Sequence, residues 1–286
     1  MRAGAVAPGP GMGRRRLAPY ALLAPGVLWL VVFFLVPILA LARTSLGAGG
    51  APWWDGYARA FTEYGAFLLR SFGFALVTTL IALLLGYPLA YVMAFRAGAG
   101  RLRHLLLGLV ILPFFTAFLV RTFAWKTILN DGGPVVGLLG WLHLLPAEGR
   151  LLNTSWAVIG GLTYNFLPFM ILPIYVSLER IDRRLVEAAQ DLYSGPGRAF
   201  RTIVFPLSLP GVFAGSLLTF IPASGDFINA ELLGGPNQRM IGTVIQNQFL
   251  QVHDYPLAAA LSFVLMAILA IGVMVYARTV GTQELA

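Results

Sequence analysis

The chain has 286 residues, of which 58% are hydrophobic and 11% charged, with a net charge of +8 and no cysteine. Average soluble domains carry about 25% charged residues, so this chain has too few to cover a water-facing surface, and lipid must replace much of the solvent. Without cysteine, disulfides, thiolate catalysis and thiolate metal sites are excluded. His104, His143 and His253 lack metal-ligand spacing, so neither a metal nor another cofactor is expected.

A bilayer core is crossed by a helix of roughly 20 apolar residues. Six segments of that kind follow one another: 17–42, 71–95, 105–120 running on to about 125, 151–178, 202–225 and 255–277. Period-two alternation is absent, which argues against a barrel. Arg14, Arg15 and Arg16 precede the first segment, and Ala40-Leu41-Ala42 resembles a signal cleavage site. A signal-peptide core spans about 7–15 residues; this segment is longer, which favours a retained anchor.

The basic residues set the orientation. With the N-terminus in the cytoplasm, the inner side holds Arg2, Arg14, Arg15, Arg16, Arg96, Arg101, Arg103, Arg180, Arg183, Arg184, Arg198, Arg201 and Arg278. The inner acids are Glu179, Asp182, Glu187, Asp191 and Glu284. The whole +8 therefore sits on one side, because 13 − 5 is 8 and the outer loops balance at 7 − 7. That placement is a topology signal rather than a nucleic-acid footprint, and six spans put both termini inside.

On the outer side, Trp53, Trp54, Tyr57 and Tyr64 fit interfacial anchoring. Asp131-Gly132-Gly133-Pro134 is a turn former between the third and fourth spans. Ile241, Val244, Ile245 and Phe249 recur at helical spacing and predict a short helix lying on that side. Leu112-Pro113-Phe114 is echoed by Leu167-Pro168-Phe169, each proline falling near mid-span. Such prolines either kink a helix or mark an interruption lining a path. Arg121, at the outer end of the third span, either pairs with a carboxylate, holds the external gate or snorkels to the interface.

Between the fourth and fifth spans, Asp182 is a candidate helix cap. Leu185, Ala188, Ala189 and Leu192 then form an apolar stripe, with Arg183, Arg184, Glu187, Gln190 and Asp191 opposite. Gly195-Pro196-Gly197 ends this helix, and Pro196 can open a second short one leading into the fifth span. Periodicity alone fits either a docking handle or a loop resting on lipid headgroups.

The same stretch resembles the Glu-Ala-Ala motif of ABC importer permeases: Glu187-Ala188-Ala189 is followed at the family's spacing by Ile203-Val204-Phe205-Pro206. Tyr193 stands where the motif has glycine, with Gly195 the nearest substitute, and Phe205 replaces leucine. The branch it is most similar to is the spermidine/putrescine-type permease. That likeness rests on Pro113 to Trp125, Phe220-Ile221-Pro222-Ala223 and Glu231-Leu232-Leu233-Gly234-Gly235-Pro236, and continues through Ile241-Gly242, Gln248-Phe249-Leu250 and Asp254-Tyr255-Pro256.

The resemblance implies an all-α integral membrane protein of the type I importer fold. It would have six transmembrane helices and a cytoplasmic coupling helix between the fourth and fifth. A tail, 1–16, precedes a permease domain, 17–286, with the coupling segment at about 180–206. It also implies a bacterial inner-membrane location and three partners: ATP-binding cassette subunits, a second permease, and a periplasmic solute-binding protein. Glu187, Ala188, Ala189, Leu192 and Gly195 would form the ATPase contact. No catalytic residue is expected, because a P-loop needs Gly-x-x-x-x-Gly-Lys and the one lysine, Lys126, lies in Ala-Trp-Lys-Thr. For a cationic solute such as spermidine or putrescine, the path needs carboxylates and aromatic faces. Asp226, Glu231, Tyr164, Asn165 and Phe227 are the candidates. A secondary transporter of a small organic cation is the rival reading, and would need internal repeats, which the sequence does not display; a permease for another small solute is the other alternative.

Overall fold

The structure, a computed structural model, describes residues 23–47, 52–97, 100–143, 149–193 and 195–280. The expected tail at 1–16, with Arg2 and Arg14 to Arg16, lies outside these residues, as does Glu284. Among the described residues the regular structure is entirely helical. In chain order the helices are α1 (Leu23–Ser45), α2 (Asp55–Thr62), α3 (Gly65–Arg96) and α4 (Arg101–Phe115). Then come α5 (Phe118–Leu129), α6 (Pro134–Trp141), α7 (Ser155–Glu179) and α8 (Arg183–Tyr193). The last four are α9 (Pro196–Ser224), α10 (Ile228–Leu233), α11 (Ile241–Asn247) and α12 (Tyr255–Val280).

Helices α1, α3, α7, α9 and α12 are each long and apolar enough to cross a bilayer. The expected third span is broken: α4 and the rod beginning at α5 meet at 98°. Pro113 has no amide to continue the ladder. Thr116 takes an extended ψ of 140° while its amide and hydroxyl both donate to the Pro113 carbonyl, at 3.2 and 2.8 Å. Pro168 and Pro173 do not break α7, which stays one helix of 25 residues. It lies between α3 and α9, and neighbouring helices hold a proline-bearing span together.

Small residues let these three helices approach closely, the usual device where lipid removes the hydrophobic drive between helices. A Cβ on Gly211 would lie 2.6 Å from the Pro173 carbonyl oxygen, and one on Gly215 would lie 2.9 Å from that of Met170. At the arginine-rich end the core is Met93, Ile174, Leu178, Ile181 and Val204. At the opposite end it is Val158, Leu162, Phe166 and Leu233. A third cluster, with Leu68, Ile241, Leu257 and Leu261, joins α3, α11 and α12. By contrast α1 buries none of its apolar window and packs on α12.

One sequence bound shifts: α3 begins six residues before Ser71, and there the Arg70 guanidinium lies 5.6 Å above the Phe67 ring and donates to the Arg239 carbonyl at 3.2 Å. The expected short helix is present as α11, and its first turn is packed into the core. Its Ile241 is fully buried and donates its amide to Ser71 Oγ at 2.7 Å, while Gly242 leaves no room for a Cβ against the Gly225 carbonyl. Wider π-turns occupy Val31–Leu35, Val92–Arg96, Phe200–Val204 and Gln248–Val252.

Candidate functional site

At the arginine-rich end, Asp182 caps α8 as expected: its Oδ1 accepts the Arg184 amide at 2.9 Å. Arg183 Nη2 donates to the Ala94 carbonyl at 3.1 Å and so ties α8 to the end of α3. Arg103 and Glu179 form an ion pair joining α4 to α7, with the Arg103 guanidinium 5.5 Å above the Tyr175 ring. Glu187 and Ala188 are exposed, whereas Ala189 is buried. Leu192 belongs to α8, but its side chain lies outside what is described. Gly195 has a φ of −174°, an extended conformation open to any residue, so it does not supply a left-handed turn in place of the motif's glycine. The expected second short helix is continuous with the fifth span, because Pro196 starts α9 and the π-turn at Phe200–Val204 carries it onward.

A cleft of about 890 Å³ runs between α7 and α9. It starts at Arg180, Asp182 and Leu185, passes Pro173 and Gly211, and ends at Phe114 and Phe169. The two Leu-Pro-Phe runs therefore meet in space: the Phe114 and Phe169 rings stand edge to face at 5.1 Å. Beyond them the rings continue from Phe169 to Phe166 at 6.2 Å and from Phe166 to Phe118 at 6.0 Å. The Arg121 guanidinium lies 5.7 Å above Phe118.

Next to this aromatic series is a buried polar layer. Asn165 Nδ2 donates to Thr122 Oγ1 at 3.2 Å and to Asn229 Oδ1 at 3.1 Å. The Asn229 amide donates to Asp226 Oδ1 at 2.7 Å. Burial pushes the Asp226 carboxyl up to about 6, partly offset by its bonds to Asn229. Gly161 makes room for this layer, since a Cβ there would lie 2.8 Å from Asn229 Oδ1. Of the sequence candidates, then, Asp226 and Asn165 share one layer. Tyr164, Phe227 and Glu231 are exposed, so the five do not form a single pocket. Tyr164 stands edge on to Trp125 at 5.5 Å, giving an aromatic wall near the surface.

Sequence reading placed Asn229 beside Asp226 at the outer end of the fifth span but missed Thr122, which nothing marked. Arg121 does not snorkel, being 9% exposed, and forms no ion pair among the described residues. No cluster of potential metal ligands occurs among the described residues.

Comparison with known proteins places this architecture. The family described as binding-protein-dependent transport system inner membrane component matches residues 86–279. The spermidine/putrescine transport system permease protein PotB of Escherichia coli is 39% identical over 87% of this chain and 93% of its own length. The protein of the same name from Haemophilus influenzae is 38% identical over 87% of this chain and 90% of its own. Among solved structures, a bacterial ABC transporter involved in import of the acidic polysaccharide alginate superposes with a TM-score of 0.70 at 19% identity, covering 93% of this chain and 97% of that one. The MetNI methionine ABC transporter gives 0.57 at 16% identity, covering 76% and 94%. The chain therefore belongs to the binding-protein-dependent transport system inner membrane components and is a permease subunit of an ABC importer.

Proposed function

We propose that this permease imports a polyamine, spermidine or putrescine, delivered by a periplasmic solute-binding protein. The reading is carried by the identity to spermidine/putrescine permeases over nearly the whole chain. The permease domain is 17–286, with both termini and the tail at 1–16 in the cytoplasm; the one-sided placement of arginine supports this. A second permease completes the path, and ATP hydrolysis belongs to separate cassette subunits. The sequence supports that division of labour, because it has no phosphate-binding glycine and lysine spacing.

Helix α8 is the coupling helix. Exposed Glu187 and Ala188 touch the ATPase, while Ala189, Leu192 and Gly195 shape the contact. A stroke on α8 reaches three spans: α3 through Arg183, and α7 and α4 through the short link at Arg180–Ile181 and the Arg103–Glu179 pair. The solute enters past Tyr164, Phe227 and Glu231, whose aromatic faces and carboxylate suit ammonium groups. Asp226 and Asn165 form the polar step, Phe114 and Phe169 the constriction, and the cleft between α7 and α9 the exit.

The test is reconstitution of the complex with its binding protein. Spermidine or putrescine should both stimulate ATP hydrolysis and accumulate in the vesicles. Failure of both solutes in both assays overturns the substrate reading and leaves the family untouched. Glu187→Lys should abolish uptake with normal membrane insertion; unchanged uptake would remove Glu187 from the contact.

A further inference from the structure

Arg121 has no task in the transport path just described. Its Nε and Nη1 are buried without a hydrogen-bond partner, and its guanidinium rests against Phe118. A buried charge is costly unless an opposite charge meets it, and ionisable groups inside membrane proteins are retained mainly for function. Asp226 is its counterpart: 8% exposed, held by the Asn229 amide, and in no ion pair among the described residues.

Both groups border the same polar layer. Thr122, the residue after Arg121, bonds to Asn165, Asn165 to Asn229, and Asn229 to Asp226. The layer is also incompletely satisfied, since Asn165 Oδ1 lacks a partner. Helix α5, which carries Arg121, packs on α10, whose first turn Asp226 caps. At its other end α5 is joined to α4 through Thr116 and Ala117, both with extended ψ values of 140° and 138°. Two non-helical residues next to a sharp bend let α5 move as a unit against α10.

We propose that Arg121 is a positioning residue for transport, pairing with Asp226 in the conformation of the cycle opposite to this one. The pair forms and opens as α5 shifts against α10, so that opposite charges meet in one state and the carboxylate is released in the other. This rests on membership in the importer family and is independent of which solute is carried.

The absence of native cysteine allows a direct test that leaves both charges in place. In the full complex with its ATPase subunits, spin labels at V120C and L232C, neither of them a buried position, report the separation of α5 from α10. The distance should differ between nucleotide-free and ATP-trapped complexes, and R121Q should abolish that difference. In uptake assays R121Q and D226N should each lower the rate on the order of tenfold, and R121Q/D226N should recover part of the loss, the coupling expected of groups that meet. R121K should retain more uptake than R121Q. An unchanged label distance between nucleotide states, or a double variant no better than the worse single one, overturns the proposal.

Discussion

Gly211→Ala tests the close packing of α7 against α9. The added Cβ would lie 2.6 Å from the Pro173 carbonyl oxygen, 3.0 Å from the Ile174 Cα and 2.5 Å from the Ser177 Cβ. Ordinary contact begins near 3.4 Å and the tightest of these is 2.5 Å, so the helices must part by about 0.9 Å. Two of the three obstacles are backbone atoms, which cannot swing aside. Overpacking of this kind costs about 1–3 kcal/mol, opposed by a helix-propensity gain of at most about 1 kcal/mol for alanine over glycine. Gly73 and Gly272 have nothing within 4 Å of a built Cβ, so Gly73→Ala and Gly272→Ala are matched controls carrying the propensity gain alone. The assay is the thermal midpoint of the detergent-purified complex, followed by loss of monodispersity, with uptake measured in parallel. G211A should unfold at a lower temperature than wild type, and both controls should equal or exceed it. A G211A complex as stable as the controls would refute the backbone-contact argument for this helix pair.

Three further outcomes follow from named contacts. Thr154→Ala removes the hydroxyl that accepts the Ala157 amide at 3.2 Å at the start of α7, and should cost about 1 kcal/mol of stability with transport per molecule unchanged; a midpoint within error of wild type would show that water caps the helix equally well. Arg183→Ala removes the bond to the Ala94 carbonyl and should lower solute moved per ATP by about twofold to tenfold while ATP hydrolysis persists; an unchanged ratio would exclude that link from force transmission. Asp226, with its carboxyl pushed up to about 6 by burial, loses its negative charge as pH falls through that value. Uptake of a cationic solute should therefore drop between about pH 7 and pH 5, and D226N should flatten the profile. Stability moves in the opposite sense. A raised carboxyl pKa contributes most favourably below the usual value of about 3.9 and loses that contribution as pH rises through about 6. Acid loss of uptake with a retained thermal midpoint is thus the expected signature, and a parallel fall of both would refute it.

The spans and helix α8 were legible because each depends on neighbours in sequence. Charge-free length marks a crossing, Asp182 stands two residues before the amide it caps, and Pro196 opens α9 where a missing amide costs nothing. The break in the third span was not legible. Leu112-Pro113-Phe114 and Leu167-Pro168-Phe169 read alike, yet α7 stays continuous where it packs on α3 and α9, while α4 ends with Thr116 donating to the Pro113 carbonyl. The polar layer was legible in fragments. Asp226 and Asn165 stand out as polar groups near apolar stretches, but Thr122, Asn165 and Asn229 come from three helices separated by 43 and 64 positions, and no local pattern predicts that they meet. Arg121 shows the same limit: its place in sequence suits snorkelling, and the packing of α5 on α10 denies it the surface.

The π-turn at Phe200–Val204 has a consequence for how α8 is aimed. A π-turn holds one residue more than the α-helical turn it replaces, and each residue turns an α-helix by about 100°. The extra residue is thus absorbed within the turn, and the start of α9 keeps nearly the same angle to the rest of that span as in an uninterrupted helix. Deleting one residue from that turn would let it relax to ordinary α geometry with little change of angle, whereas deleting a second would swing everything before it by about 100°. The bond from Arg183 to Ala94 opposes such a swing. A single-codon deletion in the turn should therefore be tolerated, while a two-codon deletion should throw α8 out of phase with α9 and leave every membrane helix whole.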